Sequence, residues 1–222
     1  MKDVKEIEKT FLTNDQLSLV KILDNREPLV DIKDFDNSIV LKIHQVNIPF
    51  TGETIYFRRE VAKKLADIQK ELSKKGLGLK ICDGYRSVEV QQQYWDEEMK
   101  INREKYPNLS ETELEEKTSK FVAKPSLALH ATGGAVDLTI IELKSGKELP
   151  MGTELDESDV KSYVEYPDFS DEIKNNRKLL LEVMTSRGFY SLPSEWWHFS
   201  YGTIDWAFYY KKESAIYGIV KK

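Results

Sequence analysis

Two of the three histidines in the chain sit in segments that packing alone does not explain. The first segment runs His130-Ala131-Thr132-Gly133-Gly134-Ala135-Val136-Asp137. Its histidine lies in a loop, and the glycine pair lets the backbone turn sharply and pass close to a neighbour. Asp137 opens the apolar run Leu138-Thr139-Ile140-Ile141, where a carboxylate is costly unless it is paired or bound to metal. The second segment is Glu195-Trp196-Trp197-His198. On a straight strand Glu195 and His198 point to opposite faces. A shared site therefore requires a bend at the tryptophans or a strand that begins only at His198.

Together the segments supply two imidazoles and one carboxylate, His130, Asp137 and His198, and leave a fourth position for water. This is the ligand set of a catalytic zinc site, and its nitrogen and oxygen donors suit one zinc ion. Zinc lowers the pKa of a water it binds toward ~7, and a nearby carboxylate can take the proton during attack. Glu195, three residues from a ligand, is the candidate base. Asp83-Gly84-Tyr85-Arg86-Ser87 adds an arginine between a strand and a helix. A fixed guanidinium there stabilises the negative charge that develops on a carbonyl oxygen.

Each piece alone also admits a structural reading: Asp137 as a turn cap, His130 as a bonded loop residue, Arg86 as a surface ion-pair partner. The segment around His198 admits one too, as a buried aromatic strand. His44 shares strand parity with Lys42, away from Leu41 and Ile43, and reads as exposed and structural. Cys82 is the single cysteine, which excludes an internal disulfide and a thiolate zinc cluster; it reads as a small buried hydrophobe.

The elements that must position these residues are expected as follows. Ile39 to Ile48 is rich in β-branched residues and reads as a strand ending at Pro49. From Arg58 to Lys75 the spacing of Val61, Leu65, Ile68 and Leu72 predicts a helix, with Gly76 as its left-handed stop. Leu77 to Cys82 reads as the strand that delivers Arg86, and a helix follows from Ser87 with Val90, Tyr94 and Trp95 inward. Ser110-Glu111-Thr112-Glu113 has capping-box spacing and opens a further helix. Ala135 to Leu143 is a strand closed by the turn Ser145-Gly146-Lys147, Asp171 to Arg187 a helix stopped by Gly188, and Trp196 to Tyr201 a strand. Several strands lie too close in sequence for crossovers, so the expected class is α+β, with helices packed on a mostly antiparallel central sheet.

The 222 residues suit a single domain, 1–222, with residues 1–38 wrapping the surface and 103–125 forming a charged surface excursion. An apolar fraction of 40% and a charged fraction of 32% exclude a disordered chain. A net charge of −5 with scattered lysines argues against nucleic acid. No apolar run approaches the ~18 residues of a membrane span. The charged N-terminus has no signal-peptide pattern, so the expected location is cytoplasmic.

These segments resemble the M15 family of zinc D-Ala-D-Ala peptidases, most closely its D-alanyl-D-alanine dipeptidase branch. The residues that carry the resemblance are Asp83 through Arg86, His130 through Asp137, Pro150-Met151-Gly152-Thr153-Glu154-Leu155-Asp156 and Glu195 through Gly202. The resemblance implies a D-Ala-D-Ala peptidase/Hedgehog-like fold and zinc at His130, Asp137 and His198. It gives Glu195 the role of base, Arg86 that of transition-state stabiliser, and Asp156 a contact with the free ammonium of a short peptide. The implied reaction is hydrolysis of D-Ala-D-Ala or a similar small dipeptide by zinc-activated water.

The chain departs from the branch in three places. Ala128 replaces a serine two residues before the first zinc histidine, removing a substrate hydrogen bond worth ~0.5–1.5 kcal/mol net. Leu155 replaces a phenylalanine, and Ser87 replaces a proline as in the carboxypeptidase branch. The rival readings are a carboxypeptidase or endopeptidase acting on peptidoglycan stem peptides, and a non-catalytic zinc-containing binding module.

Overall fold

The computed structural model describes residues 3–119, 122–157 and 159–220. In chain order the first elements are α1 (Val4–Glu8), α2 (Asn14–Ser18), β1 (Leu29–Asp31), β2 (Val40–Leu41), α3 (Ile48–Thr51) and β3 (Tyr56–Arg58). There follow α4 (Arg59–Ser73), β4 (Leu77–Asp83), α5 (Val88–Lys105), α6 (Glu111–Thr118) and β5 (Ala135–Glu142). The chain closes with α7 (Asp171–Thr185), β6 (Tyr190–Ser191), β7 (His198–Ser200) and α8 (Ile204–Tyr209).

The central sheet has the order β2-β4-β5-β7-β6. Only the β2–β4 pair is parallel; the other three pairs are antiparallel, as expected for the α+β class. α4 lays Val61, Leu65, Ile68 and Leu72 on the sheet, all fully buried, each side chain stabilising the fold by about 1.5–3 kcal/mol. Gly76 ends this helix at φ 73°, where a side chain would be strained. From the other end of the chain α7 adds Leu180 and Met184 to the same core. Ser87 caps α5 through its hydroxyl, and the capping box of Ser110 and Glu113 opens α6. α6 packs Leu114 against Trp95 and Met99 of α5 in a small separate cluster. Residues 120–121 of the 103–125 excursion lie outside the described residues.

Three expectations about the elements need correction. The first 38 residues do more than wrap the surface: β1 pairs antiparallel with β3, and Ile7 and Ile32 are buried. The strand expected over Ile39 to Ile48 is only Val40–Leu41. Pro49 does not end it but sits in the first turn of α3, where its missing N–H is harmless. Finally, β7 begins at His198 rather than Trp196. The Trp196 N–H turns to Ser162 O at 3.0 Å and so is lost to the ladder.

Candidate metal centre

Asp137 lies near the start of β5, paired with His198 of β7 on one side and Asp83 of β4 on the other. Directly opposed residues on neighbouring strands share a face. Asp83 reaches that face through a register shift between Ile81 and Asp83 that leaves Cys82 as an extra residue. Without such a bulge Asp83 would follow Ile81 to the face it shares with Leu138. The bulge thus aims three polar side chains the same way from the middle of an apolar sheet. Cys82 itself is buried, and burial pushes its thiol up to about 12, which fits an inert hydrophobe.

His130 arrives from a 3-10 turn, His130–Thr132, that ends at Gly133 in the left-handed region, φ 72°. Gly133 and Gly134 have no room for a Cβ: one would meet Leu29 and Arg58, the other Tyr201 O at 2.6 Å. This close approach is what the glycine pair provides.

The three side chains converge. His130 Nε2 stands 3.2 Å from Asp137 Oδ2, and His198 Nδ1 stands 2.9 Å from Asp137 Oδ1. The two imidazole rings meet edge to face, with centroids 5.0 Å apart. His130 Nδ1 is 2.8 Å from Gly84 O. A carbonyl only accepts, so Nδ1 carries the proton and Nε2 keeps its lone pair toward Asp137. Donors ~2.0–2.1 Å from a tetrahedral ion stand roughly 3.3 Å apart, close to both observed separations. All three residues are buried, and their donor atoms lie within 4.8 Å of one another. The residues present therefore fit a metal in number, chemistry and spacing. Burial pushes the Asp137 carboxyl up, but the two imidazoles outweigh it and hold the pKa well below the usual carboxylate range. Burial likewise opposes the charge on His198, and Asp137 outweighs it, lifting the imidazole to about 9 without metal.

Glu195 occupies the turn before β7. The His198 N–H donates to Glu195 O, which folds the chain so that both side chains face one site despite their odd spacing. Glu195 Oε2 is 3.9 Å from His198 Nδ1. Burial keeps the Glu195 carboxyl above the usual range against the pull of His198, a shift toward the neutral operating range of a general base.

Arg86 follows β4 and is held on three sides. Its Nη2 is 3.0 Å from Asp83 Oδ2, its guanidinium carbon lies 5.0 Å from the centre of the Tyr94 ring, and its backbone N–H reaches His130 O. Among the described residues its Nε is buried without a protein partner, leaving a donor for an incoming oxygen. Burial opposes its charge, and Asp83 and then Asp137 outweigh that and raise its pKa. Asp83 in turn accepts from Gly84 N at 2.8 Å and Asn47 Nδ2 at 3.4 Å.

Asp156 stands apart from the cluster, in an exposed left-handed position at φ 64°. Surrounding protein raises its carboxyl pKa, Asp137 raises it further, and His44 lowers it, so it lies within the field of the cluster. His44 is half-buried rather than exposed, at the N-cap of the 3-10 turn that carries Asn47. Of the departures, Ser87 is the α5 cap, Ala128 is buried, and Leu155 packs on the main core.

One organising residue was not expected from the sequence. Arg58, 4% exposed, donates Nε to Thr132 O at 2.7 Å, Nη2 to Gly218 O at 2.9 Å and Nη1 to Glu27 O at 2.5 Å. Its backbone N–H also bonds Gly133 O at 2.9 Å. It clamps the turn that presents His130. The pair Arg58-Arg59 at a helix start reads as surface charge, so composition carries no signal for it.

A buried His–Asp–His cluster with a glutamate beside it, set on this sheet, defines a metallopeptidase centre. The family model for D-ala-D-ala dipeptidases, the M15 peptidases, matches residues 44–213. The D-alanyl-D-alanine dipeptidase of Enterococcus faecium is 32% identical over 145 residues, covering 63% of this chain and 70% of that protein. That of Streptomyces coelicolor is 31% identical over 156 residues, covering 68% and 75%. The solved structure of the LdcB LD-carboxypeptidase superposes with a TM-score of 0.50 at 21% identity, covering 90% of this chain and 85% of the other, a likeness of fold. The chain belongs to the M15 peptidase family. M15 peptidases are zinc-dependent, and the cluster meets that requirement. No helix among the described residues is long and apolar enough to cross a membrane.

Proposed function

We propose that this chain hydrolyses D-Ala-D-Ala or a closely similar free dipeptide, with His130, Asp137 and His198 holding one zinc ion. The observation that carries the reading is the convergence of two imidazole nitrogens on the two oxygens of Asp137, at 3.2 and 2.9 Å, with Glu195 alongside. Zinc bound there supplies a Lewis acid and lowers the pKa of water toward ~7.

The protein's own groups do the rest. Glu195 accepts the proton of the attacking water on its carboxylate and passes it to the departing amine. Its raised pKa suits both directions of that transfer. Arg86, oriented by Asp83 and Tyr94, donates to the carbonyl oxygen as negative charge grows on it. Asp156 pairs with the free ammonium of the substrate, so a blocked amino terminus leaves it unpaired. With Ala128 in place of serine, substrate recognition rests more heavily on Asp156 and Arg86. The same reading puts the enzyme in the cytoplasm, which cell fractionation checks.

The test offers zinc-loaded protein free D-Ala-D-Ala beside an N-acylated tripeptide ending in D-Ala-D-Ala. Preferential cleavage of the free dipeptide is expected. Preference for the blocked peptide replaces this reading with the carboxypeptidase one, and cleavage of neither replaces it with the binding module.

A further inference from the structure

The segment from Met151 to Tyr163 carries Asp156 but little regular structure of its own. Its described residues form one 3-10 turn, Val160–Ser162, and two left-handed positions, Gly152 at φ 89° and Asp156 at φ 64°. A loop of this kind takes its shape from the scaffold that grips it. The main grip is Arg177 of α7, only 4% exposed. Its Nε donates to Met151 O at 2.7 Å, its Nη1 to Tyr163 O at 2.7 Å and its Nη2 to Lys161 O at 2.9 Å. The guanidinium carbon lies 4.6 Å from the Phe169 ring centre and 5.6 Å from that of Trp196. Next to it, Asn176 Nδ2 donates to Pro150 O at 3.0 Å.

Burial lowers the Arg177 pKa to about 10, so the group remains charged at neutral pH. A buried charge is tolerated only where its donors are satisfied. Here the three acceptors are backbone carbonyls from the two ends of the loop, so the loop must close on Arg177 for the charge to be accommodated. Asp156 stands between those ends. The grip also extends to the catalytic side: Trp196, adjacent to Glu195, donates N–H to Ser162 O at 3.0 Å and Nε1 to Thr153 Oγ1 at 2.8 Å. The near end of the loop, with Glu148 to Pro150 before it and Trp196 across from it, lines a recess of about 410 Å³.

We propose that Arg177 is a positioning residue for substrate selection: by gathering the carbonyls of Met151, Lys161 and Tyr163 it fixes where the Asp156 carboxylate stands relative to the metal cluster. It thereby sets the preference for a free amino terminus. The inference rests on the assignment of Asp156 to the substrate ammonium. A planar fork with donors on three nitrogens meets three separated carbonyls, whereas lysine, a single compact ammonium, cannot reproduce that geometry.

The experiment measures D-Ala-D-Ala and N-acetyl-D-Ala-D-Ala hydrolysis by zinc-loaded wild type, Arg177→Lys, Thr153→Val and Asp156→Ala, with zinc content and thermal unfolding recorded for each. In Arg177→Lys the KM for D-Ala-D-Ala rises about tenfold while kcat and zinc content hold, so selectivity for the free dipeptide falls. Asp156→Ala shifts the same two readouts in the same direction. Thr153→Val cuts a loop contact without uncovering a charge, and shifts KM and selectivity in the same sense. It carries the test should Arg177→Lys fail to fold. Unchanged KM and selectivity in a folded Arg177→Lys, or in Thr153→Val where it stands in, overturn the inference while leaving Asp156 intact. Loss of zinc or of kcat in parallel with KM overturns it too, by showing general damage. Wild type that hydrolyses D-Ala-D-Ala without preferring the free amino terminus removes the Asp156 assignment and this inference with it. No turnover by wild type removes the proposed function itself.

Discussion

His198 lies directly opposite Asp137 across the β5–β7 pair, with its Nδ1 2.9 Å from Asp137 Oδ1. The sheet register therefore sets the separation of two of the three proposed metal donors. The third, His130, is aimed by its own Nδ1 bond to Gly84 O and by the Arg58 clamp on its turn. On the proposed ligand assignment, a site held this way needs little rearrangement on loading, because each donor already stands in position.

Removing one donor tests that arrangement. In His198→Ala, zinc measured after dialysis falls from one equivalent to near none. The metal-free protein also loses about 1–3 kcal/mol of stability in urea, since the buried Asp137 carboxylate loses its His198 partner at 2.9 Å and keeps only the His130 ring beside it. Full zinc occupancy in this variant contradicts the ligand assignment.

Arg86→Lys separates charge from shape. A lysine retains the positive charge but loses the Nε donor and the flat face against Tyr94. The expected result is a fall in kcat of about 10²–10³ with zinc content unchanged, the size seen when one donor to a developing oxyanion is removed. A kcat within about threefold of wild type shows that Arg86 only pairs with Asp83.

The pH dependence of stability on the alkaline side follows from two buried phenols and the buried Cys82 thiol. Tyr190, Tyr217 and Cys82 are buried, and burial raises all three pKa values, with Glu27 adding to the rise at Tyr217. Their folded values exceed the unfolded ones, so their contribution is complete below pH ~8.5–10 and is lost as pH climbs through that range and beyond. Thermal unfolding temperature should fall steadily from pH 8.5 to 11, and phenolate absorbance should appear with unfolding rather than before it. Free titration of these phenols in folded protein near pH 10, with a flat unfolding temperature, contradicts the burial argument.

Much of the centre was legible because its residues break local rules. Asp137 opening an apolar strand, a glycine pair after His130 and a glutamate three residues before His198 are each hard to place in an ordinary core. The helix α4 and strands β4 and β5 were legible from spacing, with Gly76 and Gly146 marking their ends at positive φ. What stayed hidden depends on partners distant in sequence. β1 is three residues long and exists because β3 lies beside it. The bulge at Cys82 shows only once β4 is set against β5. Arg58 and Arg177 spend their donors on backbone carbonyls up to 160 positions away, and no side-chain pattern announces such bonds.

Glu195→Gln tests the central claim most directly. The substitution keeps the shape of the side chain and its place beside His198, but removes its ability to take a proton. The expected protein binds one zinc with wild-type stoichiometry and hydrolyses D-Ala-D-Ala at least about 10²-fold more slowly, the weight of a positioned general base. Turnover within a few-fold of wild type, with zinc in place, would remove Glu195 as the base and with it the mechanism argued for this site.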